Sequence, residues 1–118
     1  YVTFPEGVRE GLLLYYHGVS GSPYLWETFR ELFLLASAQR LMQALGAYGI
    51  LGLQREKPHF LNHIRPALDN LIAVTAEAGS LPRLHALACH CREAVDIAEL
   101  RGFLKGINTE FEREDDRV

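Results

Sequence analysis

With Ser37, three larger polar side chains, Gln39, Arg40 and Gln43, interrupt an otherwise apolar run at residues 32–53, LFLLASAQRLMQALGAYGILGL. At about 100° per residue they fall within about a 100° arc of one helix, beside the small residues Ala36, Gly46 and Ala47. Two carboxamides and a guanidinium offer hydrogen-bond donors, acceptors and one fixed positive charge, a set suited to binding a ligand. A helix this apolar is expected to be buried, and buried polar groups need partners. Those partners are either a ligand in a cleft or the polar groups of a neighbouring helix.

Other chemistry-bearing residues form no complete constellation. His85, Cys89, His90 and Cys91 make the one metal-like cluster. His85 and Cys89 share a helix face at i,i+4, a spacing that suits two zinc ligands. Cys89 and Cys91 point about 200° apart on the same helix, so four ligands cannot converge on one ion. His59 and His63 are also i,i+4 but have no acidic residue between them. His17-Gly18-Val19-Ser20 resembles a loop with a nucleophile, yet there is no G-x-S-x-G elbow. Neither G-x-x-x-x-G-K-[ST] nor G-x-G-x-x-G occurs, which excludes the common phosphate-cradling loops. Glu27 and Glu31 would repel each other on a solvated face, and Tyr15, Tyr16 and Trp26 read as packing aromatics. The sequence predicts no catalytic residue, no metal ligand and no cofactor-binding residue in this chain.

The elements that must position these groups are helical throughout. Pro5 suits a first helical turn, with Thr3 as a cap, and Val8, Leu12, Tyr15 and Tyr16 repeat at helical spacing as far as Gly18. Ser22-Pro23 has the cap-then-proline form of a second helix start, and the pattern then runs without proline from Tyr24 to about Arg55. That is about 48 Å at 1.5 Å per residue. Gly46, Gly49 and Gly52 recur along it, to admit another helix closely or to mark a bend. A short helix at 59–64, one at 67–78 ending at Gly79, and one from Ser80-Leu81-Pro82 to about Leu104 complete the set. The expected fold is all-α, four to five helices around one long buried helix, over residues 1–106. Residues 107–118 include EFEREDDR and form a charged, mobile tail.

The 118 residues suit one domain, and 48% hydrophobic with 23% charged residues is a globular composition. Fifteen acidic against twelve basic residues give a net charge of -3, which disfavours nucleic acid as a partner. Arg40 in the middle of the long apolar run argues against a membrane span, since a central charge costs about 2.5–3.5 kcal/mol on insertion scales. The opening residues do not read as a signal peptide, and two cysteines one residue apart do not make a secreted disulfide framework. A cytoplasmic location is expected.

Three segments in order carry a resemblance: Tyr1-Val2…Phe4-Pro5-Glu6…Val8-Arg9-Glu10, Ala38-Gln39-Arg40…Ala44-Leu45-Gly46, and Lys57-Pro58-His59-Phe60-Leu61…Ile64. Together they resemble the C-terminal helical region of the aminoglycoside phosphotransferase and choline kinase superfamily. Within it they are most similar to the bacterial N-acetylmuramate/N-acetylglucosamine anomeric kinase branch, and the resemblance spans about residues 1–75. Leu41 stands where that branch usually has His and Gln43 where it usually has Lys, which would remove a charged substrate contact. Glu56-Lys57-Pro58 replaces the usual Asp-Gly-Lys turn.

The resemblance implies a parent that uses ATP and magnesium to phosphorylate a sugar or amino sugar. It makes this chain the acceptor-side region, without the catalytic Asp and Asn loops and inactive alone. Gln39, Arg40 and Gln43 would then contact the acceptor, with Trp26 or Tyr48 as an apolar wall. The implied partner is an N-terminal kinase region. The alternative is a stand-alone helical binding module that self-associates through the long helix.

Overall fold

The structure, a computed structural model, describes residues 4, 5, 7–96, 99, 102 and 106. These form α1 (Val8–Val19), α2 (Trp26–Gly49), a π-helical turn (Ile50–Gln54), a 3-10 turn (Pro58–His63), α3 (Ile64–Ala78) and α4 (Pro82–Ala94). There is no strand among the described residues, and the all-α expectation holds. The tail at 107–118 lies outside the described residues.

Helix starts follow backbone geometry more than the expected caps. Val8 N–H donates to Pro5 O at 3.1 Å, so Pro5 belongs to a turn before α1 rather than to its first turn. Ser22 Oγ accepts from the Tyr24 backbone N–H at 3.2 Å, which spends the hydroxyl on a local turn and delays α2 to Trp26. Ser80 likewise does not cap α4; its hydroxyl donates to Glu31 Oε1 at 2.7 Å. Pro82 keeps its first-turn role in α4. Gly79, at φ 66°, closes α3 in the left-handed conformation. Helix α4 is shorter than its apolar pattern suggests. Val95 is extended, and Asp96 Oδ1 accepts from the Glu99 N–H at 3.2 Å.

The core lies between α2, α3 and α4. Leu34, Ala38 and Leu41, at i, i+4 and i+7, form a buried stripe on α2 with Leu71 and Val74 of α3 and Ala88 of α4. Each large side chain buried there is worth about 1.5–3 kcal/mol. The long helix is not buried all round, which corrects the expectation. Leu32, Met42 and Ile50 are exposed, because one helix can be covered only where α3 and α4 lie. Gly46 and Gly49 have nothing within 4 Å of an added Cβ, so no helix among the described residues uses them for close approach.

Gly52 differs. A Cβ built there would fall 2.7 Å from Leu61 Cγ, and Leu61 is completely buried. The π-helical turn and the 3-10 turn therefore close on each other only because position 52 lacks a side chain. Gly52→Ala should destabilise the fold by about 1–3 kcal/mol, as overpacked cores do. Urea unfolding followed by circular dichroism reads that loss, with Gly46→Ala neutral or slightly stabilising as the comparison.

Candidate functional site

A stripe adjoining the buried face of α2 faces a different space. Arg30, Phe33, Ser37 and Arg40 line an open cleft of about 1100 Å³, with Arg9 and Glu10 from α1 and Asn70, Ala73, Val74 and Glu77 from α3. Phe4, Pro5, Phe33, Leu41 and Val74 supply the apolar part of its walls. The size and mixed lining suit a small polar ligand with one apolar face.

The charges in the cleft are ordered. Glu77 accepts from Arg9 Nη2 at 3.1 Å and from Arg30 Nη2 at 3.0 Å. Arg30 Nε in turn donates to Glu10 Oε1 at 2.9 Å. A chain Arg9–Glu77–Arg30–Glu10 thus ties α1 to both α2 and α3. Among the described lining residues there are three guanidiniums and two carboxylates. Both carboxylates are engaged with Arg9 and Arg30, and Arg40 has no carboxylate partner among the described residues. Its one side-chain hydrogen bond among the described residues is a long one, 3.5 Å from Nη1 to Gln43 Oε1. The Asn70 side chain makes no hydrogen bond among the described residues, whereas Ser37 Oγ returns its proton to Phe33 O at 2.8 Å.

The three residues predicted from sequence are therefore separated. Arg40 lines the cleft, while Gln39 and Gln43 do not, and all three are exposed. Gln43 reaches the cleft only through its hydrogen bond with Arg40. Trp26 and Tyr48 do not form its apolar wall. Trp26 joins His17 and Phe29 in an aromatic cluster between α1 and α2, with ring centroids 5.6 and 6.2 Å away. Tyr48 lies 5.3 Å from the His63 ring and 6.3 Å from Phe60. The cluster also fixes His17, whose Nε2 lies 2.7 Å from Tyr24 O. The hydroxyl of the neighbouring Ser20 donates to His17 O at 3.3 Å and not to the ring.

Residues that the sequence reading missed are Asn70 and the Arg9–Glu77–Arg30–Glu10 chain. The spacing of Asn70, Ala73 and Glu77 at i, i+3 and i+7 was the available signal for a second, polar stripe on α3. Among the described residues no group of three or more His, Cys, Asp or Glu could hold a metal ion. No helix among them is long and apolar enough to cross a membrane. No protein-family model, curated protein or solved structure matches the chain.

Because the side chains of each ion pair in the cleft are 32–43% exposed, its contribution is small and screened by salt. Glu77→Ala should cost about 1 kcal/mol or less of stability at low ionic strength. Urea midpoints measured at low and high salt should converge for the variant and the parent as the pairs are screened.

Proposed function

We propose that this chain is the acceptor-side helical region of an ATP- and magnesium-dependent phosphotransferase acting on a sugar or amino sugar, located in the cytoplasm. The observation that carries the reading is the position of Arg40. It belongs to the Ala38-Gln39-Arg40…Ala44-Leu45-Gly46 segment of the resemblance, and it opens onto the cleft with no carboxylate partner among the described residues. The ring oxygens and hydroxyls of a sugar match such a donor, and Asn70 adds a donor and an acceptor from α3. The apolar patch of Phe33, Leu41 and Val74 suits the C–H face of a sugar ring.

In this reading Arg9 and Arg30 are structural, since both are committed to Glu77 and Glu10. Arg40 and Asn70 bind the acceptor, and Gln43 steers Arg40. ATP, magnesium and the hydroxyl-orienting Asp belong to an N-terminal kinase region, so the 118 residues bind the acceptor weakly and transfer no phosphoryl group.

The exposed apolar surface supports a second reading. Leu12, Leu14, Tyr15 and Tyr16 of α1 are each at least half exposed, as on a helical module that docks a partner or a second copy.

Two experiments separate the readings. An Asp-Asn catalytic loop encoded upstream of Tyr1 selects the phosphotransferase, and a start codon immediately before Tyr1 selects the free-standing module. In the longer polypeptide, Arg40→Ala should raise the acceptor KM about tenfold or more, the loss of one hydrogen bond from a charged group, with the KM for ATP unchanged. An unaltered acceptor KM removes Arg40 from the site.

A further inference from the structure

Where α4 meets α3, away from the cleft, a thiol, an imidazole and a hydroxyl stand in line. Cys89 Sγ lies 3.7 Å from His85 Nε2, and His85 Nδ1 lies 3.0 Å from Thr75 Oγ1. Thr75 is 2% exposed, and its single hydroxyl proton is directed to Leu71 O at 2.7 Å, with Ile72 O at 3.1 Å. The oxygen can therefore only accept from His85, which places the ring proton on Nδ1. Nε2 is left with its lone pair directed at the thiol. A nucleophile beside a base, with the base oriented by a third group, is the arrangement that activates a cysteine.

The chain supplies its own comparison. Cys91 is also a free, half-buried thiol, two residues along and about 200° around the same helix, and its sulfur has no partner among the described residues. The two thiols share a helix, are both half-buried, and differ in the histidine.

We propose that Cys89 is a thiolation site for low-molecular-weight disulfides, with His85 as proton acceptor and Thr75 as positioning residue. The Cys89 S–H proton passes to His85 Nε2. The thiolate attacks one sulfur of the small disulfide, a new S–S bond forms, and the original S–S bond breaks. The departing thiolate recovers a proton from His85; the Cys89 sulfur is oxidised and the small disulfide, reduced to a thiol, is the oxidant.

The test exposes the full chain to oxidised glutathione and follows each cysteine by site-resolved mass spectrometry. Cys89 should be modified about tenfold faster than Cys91, a modest share of what a positioned base can supply. His85→Asn, which keeps an amide nitrogen toward Thr75 but has nothing at the Nε2 position, should slow Cys89 to the rate of Cys91. Thr75→Val should slow Cys89 and Thr75→Ser should restore it, a rescue that a purely space-filling threonine would not show. Equal rates at Cys89 and Cys91 in the unmodified sequence overturn the proposal, and that comparison needs no variant to fold. A full Cys89 rate in a folded His85→Asn protein overturns it as well.

Discussion

The close contact of α2 with α3 is the constraint on which the rest of the molecule depends. It is made by Leu34, Ala38 and Leu41 on one side and Leu71 and Val74 on the other. Ala38, only 1% exposed, keeps the middle of the seam narrow, so the larger side chains above and below it can interdigitate. Once that stripe is committed, the neighbouring stripe of α2 has its direction fixed. Arg30, Phe33, Ser37 and Arg40 must point beside α3, where Asn70, Ala73 and Glu77 face them. The cleft follows from how the core is packed.

Helix α1 completes the cleft by different means. Leu13 is its one buried side chain, and its attachment combines the ion pairs of Arg9 and Glu10 with the aromatic contacts of Tyr16 and His17 to Phe29. Charge fixes the orientation of α1 while contributing little energy. The same ion pairs consume two of the three arginines in the cleft, which is why the remaining one stands out chemically.

The helical periods, the stop at Gly79 and the start at Pro82 were legible in the sequence, because they depend on a residue and its near neighbours. The serines misled for a physical reason. Ser22 and Ser80 have the right side chain for a cap, but each hydroxyl found a better-placed partner, Tyr24 N–H in one case and Glu31 in the other. Full burial of residues 32–53 was over-read from composition, since apolarity does not state how many neighbours exist to cover a helix. Arg40 was legible as a polar group on an apolar helix. Its separation from Gln39 and Gln43 was not, because that depends on where α3 and α1 come to rest. Pairs such as Arg9 with Glu77, 68 residues apart, leave no local trace in a single sequence.

The contact of Gly52 with Leu61 carries a further mechanical consequence. The chain reversal between the two central helices is seated with no slack, so they behave as a single rigid wall. Any breathing of the groove must then come from its lighter side, as α1 swings on its half-exposed ion pairs. An entering guest would be admitted by the rim while the floor stays still.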